Sequence, residues 1–160
     1  MATHEAICGF RQVRCLFQTC GYVNSINDLP SHLALRHAAS VMEVHEGTAD
    51  VVLQDPTTKE HTTRVLLLLH MDHVFGVVYQ RTGQFHSEGT LNIFSLTASA
   101  DIYEYQIIIR RPAGTNCWSS RAAAPDAGEE TAIGFTESFI HSMTLHGCLR
   151  LEIKLMKSVL

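Results

Sequence analysis

The sequence is short of positive charge: twelve Lys and Arg stand against sixteen Asp and Glu in 160 residues, for a formal net charge of −4. The basic residues are scattered, and non-specific affinity for nucleic acid comes from clustered ones, so nucleic acid is not expected as a partner. Long apolar runs are missing too. The longest, "VLLLLH" from Val65 to His70, falls far short of the roughly 20 residues that span a bilayer. The opening "MATHEAICGF" lacks the charged-then-apolar order of a signal segment. The chain therefore reads as intracellular, cytoplasmic with the nucleus as an alternative, and without a membrane partner. No glycine-rich phosphate loop, nucleophile elbow or paired-carboxylate motif occurs, and no internal repeat or low-complexity tract. No catalytic residue is expected.

What is present is enough apolar material for a core. At 46% hydrophobic and 18% charged residues the composition is that of a globular protein rather than a disordered one. The length suits one ordinary domain, or a small module joined to a medium one. The five cysteines are odd in number, and Cys8, Cys15 and Cys20 crowd into the first 20 residues beside histidines. That distribution favours metal over a disulfide framework.

The window "CLFQTCGYVNSINDLPSHLALRH", residues 15–37, carries the sharpest signal. Cys15 and Cys20 are separated by four residues, Cys20 and His32 by eleven, and His32 and His37 by four. Tetrahedral zinc is held by a cysteine pair on a knuckle and a histidine pair on a following helix, with C-x2–4-C and H-x3–5-H spacing, and all these intervals fit. "GYVNS" supplies a turn and the end of a hairpin. Asn27 or Asp28 can cap a helix whose first turn accepts Pro30. Leu29, Leu33 and Leu35 are expected to form its apolar face. Upstream, His4 and Cys8 form a weaker half-site, His-x3-Cys, with no cysteine pair before it.

From residue 40 onward the chain reads as mainly β. "SVMEVHEGTADVVLQD", "TTRVLLLLHM", "HVFGVVYQRT", "TLNIFSLTA", "DIYEYQIIIRR", "NCWSSR", "ESFIHSM" and "CLRLEIKLM" are rich in β-branched and aromatic residues. Turn signals such as "DPTT", "SEGT" and "LHG" punctuate them, which predicts an antiparallel sandwich or barrel. Leu149, Leu151, Ile153 and Leu155 alternate with Arg150, Glu152 and Lys154, so one face of that strand is buried. Tyr103, Tyr105 and Ile107 likewise oppose Ile102, Glu104 and Gln106. His70, Asp72 and His73 are read as strand-end residues, with His70 and Asp72 on the face opposite His73. Cys117 and Cys148 are expected in the core.

The His4, Cys8, Cys15, Cys20, His32, His37 series resembles the paired fingers of the seven-in-absentia (Siah/SINA) ubiquitin ligases. "HLALRH", "HVFGVVYQR", "IYEYQIIIRRPAGTNCW" and "FTESFIHSMTLHGCLRLEIKLM" are similar to later stretches of that family. The resemblance implies a SIAH-type zinc-finger region over residues 1–39, its first finger truncated and its second a complete Cys2His2-type unit, then a TRAF-like antiparallel β-sandwich over residues 40–160. It implies zinc as cofactor, and a role in ubiquitin-dependent degradation through substrate recognition and dimerisation. Extended degron peptides would dock near Met42, Val44, Thr62, Thr63, Arg64 and Leu66. Thr63 and Arg64 stand where the family has an acidic residue and a tryptophan, which removes an aromatic platform and reverses the local charge. A homodimer, or a heterodimer with complete family members, is implied. No RING-type C-x2-C pair occurs in the sequence, so a ubiquitin-conjugating enzyme would be engaged only through a RING supplied elsewhere. The alternative is a RING-less adaptor that competes for ligase partners without transferring ubiquitin.

Overall fold

The computed structural model describes residues 11–17, 19–56, 63–82, 88–97, 102–111, 114–122 and 132–159. The elements run β1 (Gln12–Arg14), β2 (Val23–Ser25), α1 (Leu29–His37), β3 (Ser40–Glu43), β4 (Thr48–Gln54), β5 (Thr63–His70), β6 (His73–Thr82) and β7 (Glu88–Ser95). They continue as β8 (Tyr103–Arg111), β9 (Gly114–Arg121), β10 (Ile133–Phe135), α2 (Glu137–Met143) and β11 (Cys148–Lys157). The fold is mainly β. Among the described residues no helix is long and apolar enough to cross a membrane.

Beyond the small β1–β2 hairpin the described residues form two sheets, one in the order β10-β7-β6-β5-β3 and one in the order β4-β11-β8-β9. Period-two alternation gives each an apolar inner face, and the two faces make one core. Val77, Tyr79, Leu91 and Ile93 of the first meet Val51, Tyr105, Ile107 and Ile153 of the second. The alternation read from β8 and β11 is realised: Tyr103, Tyr105, Ile107, Leu149, Leu151, Ile153 and Leu155 are all buried.

Pairing departs from the antiparallel expectation at one place. β3 runs parallel to β5, with Ser40 opposite Leu66 and Glu43 opposite Leu69. A hairpin would force reversal, but β3 is reached from α1, and it leaves through a tight turn into the other sheet. That turn has Glu46 at φ 53° and Gly47 at φ 74°, the type I′ pattern. The side chain of any other residue at Gly47 would also begin 3.1 Å from the Leu155 carbonyl oxygen. The stretch "SVMEVHEGTADVVLQD" is thus two strands in different sheets.

Two further expectations are corrected. "ESFIHSM" is helix α2, because the Thr136 hydroxyl accepts a hydrogen bond from the Phe139 amide and Ile140 and Met143 share a buried face three residues apart. Cys117 is exposed and Cys148 half-buried rather than core. Trp118 faces inward opposite Ile107, so alternation sends its neighbour Cys117 outward. Cys148 donates instead to Gln54 Oε1 at 3.2 Å.

Helix α1 ends with Ala38 in the left-handed region at φ 50°, and the Ala39 amide reaches back to the Leu33 carbonyl at 3.1 Å. A Cβ in that conformation costs roughly 1 kcal/mol that glycine avoids. Ala38→Gly is therefore expected to raise the unfolding midpoint in urea by the equivalent of about 0.5–1 kcal/mol. A fall in stability would show that the Ala38 methyl is packed rather than strained.

Candidate metal centre

Each part of the N-terminal segment places a ligand. Antiparallel pairing of Gln12 with Ser25 and Arg14 with Val23 makes the hairpin. The bond from the Cys15 amide to the Tyr22 carbonyl at 3.1 Å extends it to the first cysteine. The Cys20 amide donates to the Phe17 carbonyl at 2.9 Å, a bond that closes a knuckle and brings the second cysteine back. After β2 the chain turns on Ser25, whose carbonyl accepts from the Asp28 amide at 3.1 Å and whose hydroxyl accepts from the Asn27 amide at 3.2 Å. Asp28 is the N-cap position, as expected, but its side chain makes no capping bond. Pro30 sits in the first turn, and Arg36 and His37 occupy the last, where positive charge is favoured.

The four predicted ligands converge. The ligand atoms of Cys15, Cys20, His32 and His37 all lie within 4.8 Å of one another. Cys15 Sγ is 3.4 Å from His37 Nε2, and Cys20 Sγ is 3.5 Å from His32 Nε2. Bonds of about 2.3 Å to sulfur and 2.0–2.1 Å to nitrogen around one tetrahedral ion would separate such atoms by about 3.6 Å. The group can hold a metal ion with little rearrangement. The histidine rings stand at 73° to each other with centroids 5.1 Å apart, so they approach the centre from different sides.

Two aromatic side chains fix those rings. Phe17 stacks on His37 with centroids 4.1 Å apart, and Tyr22 stacks on His32 at 3.7 Å. Stacking leaves the ring edges free, and the Nε2 atoms point inward. Neither aromatic was singled out from sequence, although a signal exists: an aromatic follows each cysteine by two places, Phe17 after Cys15 and Tyr22 after Cys20.

Without an ion, burial acts against ligation at Cys15 and in favour of it at His32. Burial pushes the Cys15 thiol above its ordinary 9.0, while backbone amides of Phe17 and Leu16 bonded to the sulfur pull the other way. Burial, then the nearby His37 and Arg36, lower the His32 imidazole below 6.5, so that it is neutral and able to bind at neutral pH. A protonated Cys15 must release its proton to take an ion, and lowering the pH reverses that exchange. Ion affinity is expected to fall at least about tenfold per pH unit below neutrality, measured by competition with a chromogenic chelator. An affinity unchanged across that range would mean that Cys15 does not bind as a thiolate.

The segment is seated on the outer face of the five-stranded sheet. Val13, Cys15, Ile26, Leu29 and Leu33 form a second core with Val65, Leu67, Val78 and Leu96. Leu35, expected on the same apolar face, is instead 84% exposed. Two positions beyond Leu33 are about 200° around the helix, the opposite side. Leu16, between the first cysteine and Phe17, covers Gly76 of β6, where a Cβ would lie 2.5 Å from its nearest methyl. Gly76→Val is expected to lift the knuckle and cost about 1–3 kcal/mol, read as a lower midpoint of thermal unfolding. An unchanged midpoint would show that Leu16 swings aside freely.

Of the other predicted positions, Met42, Val44, Thr63, Arg64 and Leu66 are among the described residues. His4, Cys8 and Thr62 lie outside the described residues. Met42 and Val44 are half-buried against the main core, which contains Leu66. Thr63 is half-buried and Arg64 exposed on β5, opposite Gln80 and Tyr79 of β6, whereas β3 pairs with β5 from Leu66 to Leu69. His70 and His73 are direct partners across the β5–β6 turn, which corrects the expectation of opposite faces. Both lie against Tyr103, at centroid distances of 6.2 and 4.9 Å. Continuous alternation misjudged them because Met71, at φ 52°, starts the turn between them. Among the described residues the Cys15, Cys20, His32 and His37 group is the one cluster suited to a metal. No protein-family model matches the chain, and no curated protein matches it.

Proposed function

We propose that this chain is a zinc-stapled protein-docking module of the seven-in-absentia kind, recognising substrate proteins for ubiquitin-dependent turnover. The reading is carried by one observation: two thiols and two imidazoles from a knuckle and a helix meet within 4.8 Å. Zinc is the ion such a mixed sulfur and nitrogen set favours, because a tetrahedral site with two thiolates and two imidazoles suits its size and borderline softness. Four protein ligands would close the coordination sphere, so the ion holds the segment together and does no chemistry.

The docking half of the proposal rests on the resemblance and on the sheet edges. Among the described residues β3 is bonded only to β5 and β4 only to β11, so an extended peptide can add to either as one more strand. Partners are substrate or adaptor proteins bound through extended segments, with self-association or pairing with complete family members alongside. A peptide array probed with the zinc-loaded chain, followed by chemical-shift mapping of a binder, tests this. The proposal predicts sequence-dependent binding with shifts along β3 and β5. Absence of binding by any extended peptide, or shifts confined to α1, would overturn it.

A further inference from the structure

The two cysteines differ in access. Cys15 is 8% exposed and belongs to the core shared with the outer face of the sheet, whereas Cys20 is half-buried and packs against the margin of that core. Their sulfurs lie within 4.8 Å, and only four residues separate them in the chain. Such a pair can be joined by a modest movement of the knuckle, since a disulfide requires sulfurs about 2.05 Å apart. The pieces tied together by the centre are individually weak. Strands β1 and β2 are three residues each, and α1 has nine, below the roughly 12–15 at which an isolated helix becomes even marginal.

We propose that Cys20 and Cys15 form a peroxide-sensitive latch, whose closure as a disulfide releases the ion and frees α1 from the outer face of the five-stranded sheet. The inference rests on the metal reading above and adds a regulatory property to that site. The Cys20 thiolate, the accessible one, attacks a hydroperoxide. The O–O bond breaks, sulfur takes one oxygen as a sulfenic acid, and the other oxygen leaves as hydroxide or alkoxide. The Cys15 thiolate then displaces hydroxide from that sulfur and the S–S bond forms. The two sulfurs together lose two electrons, the hydroperoxide gains them, and two protons from solvent complete two waters, or one water and one alcohol. Neither sulfur of the disulfide is then an anionic ligand, and two histidines alone do not hold the ion. With the ion gone, Leu29 and Leu33 lose the tie that presses them onto Val65, Leu67 and Val78.

The test uses the zinc-loaded full chain carrying Cys117→Ser and Cys148→Ser, which removes the two thiols on the outer face of the four-stranded sheet. Hydrogen peroxide is added, free zinc is followed with a chromogenic chelator, disulfides are mapped by mass spectrometry, and amide exchange is recorded over α1. The latch predicts one zinc released per Cys15–Cys20 disulfide, loss of amide protection across residues 29–37, and recovery of both with a thiol reductant and zinc. Zinc retained while the disulfide forms would overturn it, as would zinc lost without that disulfide, or protection kept in α1 after release. A chain that never binds zinc defeats the metal reading and the latch together. One that binds zinc and ignores peroxide defeats the latch alone.

Discussion

Replacing Cys20 by serine is expected to abolish tight zinc binding and to melt the segment from β1 through α1, while leaving the two-sheet body folded. Apparent binding free energies of structural zinc in small fingers are about 10–16 kcal/mol at neutral pH, and without a preformed site most of that is folding free energy. A hairpin with three paired positions and a nine-residue helix have no comparable resource of their own. The main core is independent of the ion, because its residues come from β3 onward. Hydrogen exchange should therefore show two separate outcomes. Amides of α1 fall to the rates of a free peptide, and those of β6, β8 and β11 keep their protection. A chelator added to the unaltered chain should reproduce the pattern. Helix amides that stay protected in Cys20→Ser would mean that packing on the sheet, not the ion, holds the segment.

The second large effect separates two leucines of the same helix. Leu33 has no exposed surface and packs with Leu29 against Val65, Leu67 and Val78, while Leu35 is 84% exposed. Leu33→Ala removes buried methyl groups and leaves a cavity between helix and sheet, and is expected to cost about 2–5 kcal/mol. Because docking of α1 also positions His32 and His37, part of that loss should appear as weaker zinc binding. Leu35→Ala should change stability by no more than about 0.5 kcal/mol. Urea unfolding of both variants, with and without zinc, checks the pair. Equal effects would place the helix in a different rotation about its axis.

The ligand set was legible because coordination chemistry imposes short, fixed intervals, and Cys15, Cys20, His32 and His37 obey them without help from the rest of the chain. The strand faces of β8 and β11 were legible for a similar reason: one face buried and one wet writes a period of two into "IYEYQIIIR" and "LRLEIKLM". Where the reading failed, the deciding interaction was either a turn or a partner distant in sequence. "ESFIHSM" has enough β-forming residues for a strand, but the Thr136 cap and the contact of Ile140 with the main core make it a helix. The turn at Met71 puts His70 and His73 side by side, which no alternating pattern can express. The parallel pairing of β3 with β5 follows from where α1 delivers the chain. The seat of the N-terminal segment on the sheet, with Leu16 over Gly76, depends on residues sixty positions apart, and only a glycine in an otherwise apolar strand hinted at it.

The central claim is that one zinc ion binds to two sulfurs and two imidazole nitrogens. Zinc-edge X-ray absorption on the purified chain, with metal content measured on the same sample, tests it most directly. The account predicts one zinc per chain, with two sulfur neighbours at about 2.3 Å and two nitrogen neighbours at about 2.0 Å. A chain that takes up no zinc, or a zinc shell without sulfur, would contradict it.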